Sequence, residues 1–218
     1  MDKKSDTYLP ALSYDLLTPL YDSLIRLTMP ERAFKRRLIE LARVRDGQRV
    51  LDLGCGTATL TLLAKEMCPG AGVTGLDGDP RILQIARKKA EGAGADISLD
   101  LGMSYGLPYP DASFDRVVSS LFFHHLTRGD KARTLEEVRR VLRAGGELHV
   151  ADFGRPQNLM MRLASLPWRA FDGRETTGDN VAGRLPEMMR RCGFAGVHES
   201  ARYKTLFGTL SLYQGRKV

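Results

Sequence analysis

Apolar residues at the start of the chain recur every three or four positions, at Leu9, Leu12, Leu16, Leu20, Leu24 and Leu27. That is the helical period, interrupted by Pro19, and it predicts short helices followed by another from Pro30 to about Arg45. From Gln48 the pattern changes. Arg49 to Leu53 reads as a short buried strand, and Thr59 to Met67 as a helix with Leu60, Leu63, Ala64 and Met67 inward, the two joined by a glycine turn. The alternation then repeats. Val73 to Asp77 is a predicted strand, Asp79 an N-cap, Pro80 the first residue of a helix running through Ala90. Ile97 to Leu101 and Phe114 to Leu121 are further strands. Lys131 to Arg143 is a helix with Leu135, Val138, Val141 and Leu142 inward, stopped at Gly145-Gly146, and Glu147 to Asp152 is a fifth strand.

Alternating strands and helices dictate a mainly parallel sheet covered on both faces, because right-handed crossovers are nearly obligatory. Ligands of such sheets bind at the carboxyl ends of the strands, where the strand order reverses. After an irregular stretch from Gly154 to Asp179, a helix is predicted over Val181 to Cys192. Two apolar segments follow, Gly196 to Tyr203 and Leu206 to Gln214, with a turn near Phe207-Gly208-Thr209.

Composition narrows the class. An apolar content of 43% against 27% charged residues is that of a globular protein, and 218 residues suffice for one domain. The opening residues Met1 to Asp6 are polar, and nowhere do eighteen apolar residues run together, so a cytoplasmic location is expected. Cys55, Cys68 and Cys192 are an odd number without the close spacing of a metal site, so reduced thiols are expected, with neither disulfides nor a structural metal. The net charge of +7 brings anionic partners into view, including transient contact with an anionic membrane. The basic clusters, however, fall on segments that read as amphipathic helices, where a solvated polar face accounts for them.

Candidate chemistry starts at Gly54-Cys55-Gly56, which follows a strand and opens a helix, so that backbone can approach a ligand and amides can face an anion. A nicotinamide fingerprint wants a third glycine at position 59, where Thr59 stands. Asp52 lies two residues before the first glycine. Asp77 ends the second strand, where a carboxylate can accept hydrogen bonds from both hydroxyls of a ribose. Asp79 is explained by helix capping.

In Asp52-Leu53-Gly54-Cys55-Gly56-Thr57-Ala58 the chain resembles the class I S-adenosylmethionine-dependent methyltransferases, whose first motif reads acidic-x-Gly-x-Gly-x-Gly. Ala58 takes the place of the third glycine, and a helical conformation that suits alanine is expected there. The family's ribose-binding acid falls on Asp77. Leu107-Pro108-Tyr109-Pro110-Asp111-Ala112-Ser113-Phe114-Asp115 resembles a signature of the branch containing the ubiquinone and menaquinone C-methyltransferases. Val138 to Leu148 resembles that family's passage into the fifth strand, with Ala144 for proline. Met103-Ser104 stand where the family commonly carries Asp-Ala beside the adenine, which shifts adenine recognition toward stacking, Ser104 and backbone amides.

The resemblance implies a doubly wound α/β fold: a mainly parallel seven-stranded sheet with helices on both faces, an antiparallel C-terminal strand and an N-terminal helical lid. It divides a single domain into a lid (1–46), a cofactor-binding core (47–153), and a substrate cap with the C-terminal strands (154–218). The implied cofactor is S-adenosylmethionine. Its expected contacts are Tyr21, Asp52, Gly54, Cys55, Gly56, Thr57, Asp77, Gly78, Met103, Ser104 and Ser120. Tyr14 and Tyr21 lie in the segment that in similar enzymes closes over the methionine end of the cofactor.

The expected reaction is an in-line displacement at the sulfonium methyl, in which alignment and exclusion of water carry most of the catalysis. A base is needed only for an acceptor that arrives protonated, and His124 and His125, just past the fourth strand, are the candidates. His149 and His198 lie within strands and are read as structural. The expected acceptor is a small molecule or lipid-like compound, with Met160, Met161, Leu163, Leu166, Trp168 and Phe171 forming an apolar cap. The quinone enzymes carry an Arg-Asn pair where this chain has His124-His125. A nucleic-acid substrate is disfavoured, since Ser119-Ser120-Leu121-Phe122 stands near the place of the Asn/Asp-Pro-Pro-Tyr/Phe motif. Arsenite methylation needs converging cysteines that are lacking here. A nonenzymatic cofactor-binding domain and a nicotinamide dehydrogenase are the remaining alternatives.

Overall fold

A computed structural model describes residues 30–166 and 174–218. Tyr14, Tyr21, Trp168 and Phe171 lie outside these residues. Seven strands form one sheet: β1 (Arg49–Leu53), β2 (Gly72–Asp77), β3 (Ser98–Leu101), β4 (Phe114–Ser120), β5 (Leu142–Phe153), β6 (Phe194–Thr205) and β7 (Gly208–Lys217). Their order is β3-β2-β1-β4-β5-β7-β6. The first five are parallel, and β7 lies antiparallel between β5 and β6. The doubly wound sheet with an antiparallel C-terminal strand expected from the sequence is therefore present.

Strand alternation assigns each face its core. Leu51 and Leu53 of β1 join Val117, Leu148 and Val150 against α4 (Arg128–Val141), whose Leu135, Val138 and Val141 are fully buried. Val50 points to the opposite face, where it meets Phe34 and Leu38 of α1 (Glu31–Ala42) and Leu60 and Ala64 of α2 (Thr59–Met67). Helix α3 (Pro80–Gly92) has the predicted cap: the Asp79 side chain accepts from the Arg81 N–H, and Pro80 opens the first turn.

The C-terminal third departs from expectation in two places. The stretch from Gly154 to Asp179 contains α5 (Leu159–Ala164) and most of α6 (Arg174–Val181), and the helix predicted over Val181 to Cys192 is only its second half, α7 (Leu185–Arg191). Gly183, at φ +69°, turns the chain between α6 and α7, and Pro186 sits in the first turn of α7. Val181 packs against one core cluster while Leu185 and Met189 of α7 belong to the other, so an apolar spacing that looks continuous along the chain serves two cores.

The Leu107 to Asp115 signature is architectural. Arg140 of α4 donates to the Leu107 and Tyr109 carbonyls, and the Asp115 carboxylate joins the Arg49 N–H to the Arg143 guanidinium. These bonds fix where β4 enters the sheet.

Candidate active site

Neighbouring strands leave the centre of this sheet in opposite directions at β1 and β4, so the crevice between their carboxyl ends is where a ligand fits. Two loops meet there. In the first, Gly54 (φ +69°) lets the chain leave β1, and a Cβ at this position would come within 2.3 Å of the Phe122 ring. Phe122 belongs to the second loop, after β4, so glycine at 54 is required by contact as well as by backbone angle.

The amides of the glycine loop are largely committed to the protein. Gly54 and Cys55 both donate to the Leu76 carbonyl, and Gly56 donates to Asp77 Oδ2 at 2.9 Å. Asp77 Oδ1 accepts the Asp79 N–H at 3.0 Å. Each Asp77 oxygen is thus steered by one backbone donor and retains acceptor capacity for a hydroxyl pair. Burial pushes its pKa up, with these backbone bonds opposing. Around Gly56 the space where a Cβ would stand is open to at least 4 Å, a cradle at the mouth of the crevice.

Ala58 corrects the sequence reading. It caps α2 in the left-handed region, φ 62° and ψ 25°, and is fully buried, so the position calls for the glycine that the motif places there. Alanine carries a Cβ penalty in this conformation instead of a helical advantage.

Asp52 points toward α1 and α2 and is 1% exposed. Thr61 donates to its Oδ2 at 2.7 Å, while Oδ1 is buried without a hydrogen-bond partner among the described residues. Burial raises its pKa to about 6, with the Thr61 bond and the positive charge of Lys35 opposing. An orphaned carboxylate oxygen beside a glycine loop fits an ammonium group, and the Asp77 carboxylate fits a ribose. Together they suit the ribose and the amino-acid end of S-adenosylmethionine.

The remaining cofactor candidates divide. Cys55 is buried, its thiol pushed well up by burial and then by the charge of Asp52 and Asp77. Thr57 is buried at the loop's turn, where Lys89 reaches its hydroxyl at 3.4 Å and that of Thr59 at 2.7 Å. Gly78 and Met103 are half-buried at the ends of β2 and β3, and Ser120 is half-buried at the end of β4. Ser104 is turned away: its hydroxyl is buried 2.8 Å from that of Thr134 on α4, so it is spent on packing.

Beyond β4, Leu121 adopts φ +54° and its N–H donates to the Ala151 carbonyl, diverting the chain into a 3-10 turn, Phe123–His125. This turn brings both histidines to the carboxyl end of β5. His124 is buried with Nδ1 2.7 Å from Asp152 Oδ1, and its N–H donates to Asp152 Oδ2 at 3.1 Å. A carboxylate on Nδ1 places the ring proton there and the basic lone pair on Nε2. The His125 ring lies 4.0 Å from that of His124. Burial, then repulsion from His124 and Lys131, holds His125 well below the ordinary histidine pKa, so it is neutral at physiological pH.

Two members of this cluster carry no sequence signal. Lys131 is fully buried on α4 and donates to the Leu126 carbonyl, and α6 supplies a second carbonyl from Thr176. Its pKa is lowered by burial against the attraction of Asp152 and Asp179. Asn180 of α6 is 1% exposed, and neither its amide nitrogen nor its oxygen has a hydrogen-bond partner among the described residues. Helix α6 packs on the histidine turn and the end of β5. Burying a carboxamide without a partner costs roughly 2 kcal/mol or more.

Comparison with known proteins fits this geometry. Residues 50–146 match the methyltransferase domain family. A demethylmenaquinone methyltransferase of Thermus thermophilus is 35% identical over 91% of this chain and 97% of its own length. A ubiquinone/menaquinone biosynthesis C-methyltransferase of Xanthomonas campestris is 30% identical over 95% and 87%. Among solved structures, a SAM-dependent methyltransferase of Methanosarcina mazei superposes with a TM-score of 0.67 at 22% identity, over 83% of this chain and 97% of its own, which shows a shared fold.

Proposed function

This chain belongs to the class I S-adenosylmethionine-dependent methyltransferases, in the family of the demethylmenaquinone methyltransferases, and from that premise we propose that it methylates a quinol-type aromatic acceptor. The enzyme acts on a small molecule with S-adenosylmethionine as its cofactor, and the nucleic-acid and nonenzymatic alternatives are not favoured. That cofactor supplies an electrophilic methyl group on a sulfonium sulfur. In our reading Asp77 holds the ribose, Asp52 Oδ1 the ammonium group, and Gly54 to Thr57 with Gly78 the backbone cradle. Met103 covers the adenine and Ser120 closes the crevice from β4.

The observation that carries the acceptor assignment is the buried His124–Asp152 pair at the ends of β4 and β5, with α6, which bears the buried Asn180, packed on the histidine turn. A quinol ring carbon becomes nucleophilic when a ring hydroxyl gives up its proton. His124, oriented by Asp152, takes that proton, the hydrogen of the methylated ring carbon then leaves as a proton to solvent to restore the aromatic ring, and the neutral His125 packs beside His124. Asn180, donor and acceptor at once, pairs with a ring oxygen. The full-length likeness to two enzymes named for quinone methylation supports the same class. Incubation with methyl-labelled S-adenosylmethionine, a short-chain demethylmenaquinol and total RNA tests it. Label is expected on a ring carbon of the quinol; label on RNA, or on no quinol, overturns the assignment.

A further inference from the structure

Helix α5 exposes its apolar side instead of burying it. Leu159, Met160, Leu163 and Leu166 are 52–71% exposed, and Met161 alone turns into the core. The helix is held in place from both ends. The Asn158 side chain caps its first turn by accepting the Met161 N–H, and Gln157 donates its N–H to the Thr209 hydroxyl. Its far end lies against the turn between β6 and β7, where a Cβ on Gly208 would stand 3.2 Å from the Met161 carbonyl and 3.3 Å from Ser165. That turn carries Leu206, 70% exposed. Five large aliphatic side chains therefore form one outward patch from two adjoining segments. Scattered apolar residues on a surface need no explanation, whereas a contiguous patch does.

The two segments that carry the patch are basic. Segments 155–166 and 203–209 contain Arg155, Arg162 and Lys204, all exposed, and no Asp or Glu. None of the three cations has an ion-pair partner among the described residues. A second copy of this chain docking through a two-fold axis sets like against like, so three unneutralised cations would face their own images. A lipid surface with anionic headgroups satisfies both halves: headgroups pair with the cations while the aliphatic side chains enter the acyl boundary.

Position gives the surface a purpose. In the antiparallel pairing of β5 with β7, Phe153 stands opposite Leu210, so α5 and the β6–β7 turn lie at the same sheet edge as Asp152 and the histidine turn. We propose that α5 and the Leu206 turn dock this enzyme on an anionic membrane surface, presenting the acceptor end of the sheet to a lipid-embedded substrate. The purpose rests on the quinol reading above; the binding itself does not.

Flotation with vesicles of phosphatidylcholine alone, or mixed with phosphatidylglycerol, tests the proposal. Wild-type protein is expected to partition onto the anionic vesicles at least about tenfold better than onto the neutral ones, less so at high salt. The double change Leu159→Ser and Leu206→Ser is expected to lower binding about tenfold, and Arg155→Gln, Arg162→Gln and Lys204→Gln together about a hundredfold. All five positions are exposed, so thermal melting should be unaltered, as should turnover of a short-chain water-soluble quinol. Absence of wild-type binding to anionic vesicles overturns the proposal. So does a wild-type dimer in sedimentation that the leucine changes dissolve without altering flotation. Vesicle binding without quinol methylation leaves the docking surface standing and removes the quinol assignment.

Discussion

At the end of β2 the Asp77 carboxylate is steered by two backbone N–H groups, from Gly56 and Asp79; at the end of β5 the Asp152 carboxylate accepts two backbone N–H groups, from His124 and Phe153, and is bonded by the His124 ring as well. Both acids sit at carboxyl ends of parallel strands in one sheet. The first arrangement uses what every residue possesses, so it needs glycine where the chain bends and little else. The second adds to its backbone donors particular side chains brought together from the turn after β4, β5, α4 and α6, and its buried members must be satisfied by one another or by a ligand. The cofactor edge is thus a backbone device and the acceptor edge a side-chain device, so mutation should separate them.

The largest effect is expected at the acceptor edge. His124→Asn keeps an N–H donor near Asp152 and removes the basic nitrogen, so kcat should fall about a thousandfold while calorimetric affinity for S-adenosylmethionine stays within about twofold. Equal loss of both would erase the distinction. Next is the cofactor edge. Asp77→Asn should weaken S-adenosylmethionine binding about a hundredfold, the worth of two charge-assisted hydrogen bonds, and leave kcat at saturating cofactor far less affected.

Two smaller effects sharpen the account of the cofactor edge itself. Asp52 has its folded pKa raised from 3.8 to about 6. The fold therefore favours the protonated acid, and stability falls as pH rises from about 4 to 6 and stays lower above. Asp52→Asn should remove that slope and stabilise the cofactor-free protein at neutral pH by at most about 3 kcal/mol, a figure that relaxation around the site reduces. Urea unfolding at pH 5 and at pH 7.5 measures it, and a slope that survives the substitution assigns it to another group. Ala58→Gly should give the smallest gain, about 0.5–1 kcal/mol, because relief of the left-handed alanine is offset by the freedom glycine has when unfolded. Denaturant midpoints of the two proteins are the check.

This contrast also explains what could be read from the sequence. Asp52, Gly54, Gly56 and Asp77 are separated by short, regular elements, so their spacing already implies where the chain must turn and what the turn can hold. The alternation of Val50 and Asp52 with Leu51 and Leu53 likewise foretells two faces. Ala58 was misread because residue type alone does not report the sign of φ. Ser104 was assigned to the cofactor from its place after β3, while the nearby Thr134, thirty residues on, claims its hydroxyl. Asn180 and Lys131 were invisible for a related reason. Their significance lies in burial and in partners distant along the chain, and a lone Asn or Lys in a helical segment reads as a solvated side chain. Of the residues read as an apolar cap, Met160, Leu163 and Leu166 are exposed and Met161 is buried, a difference that residue type alone does not report.

The contact between Gly54 and Phe122 joins the two devices. One ring fills the place of a missing Cβ in the cofactor loop, and it stands two residues before His124. Any side chain at position 54 would have to displace this ring, so Gly54→Ala is expected to disturb both loops at once. If the contact couples the two sites, thermodynamic reciprocity requires that the factor by which bound cofactor alters acceptor affinity equal the factor by which bound acceptor alters cofactor affinity.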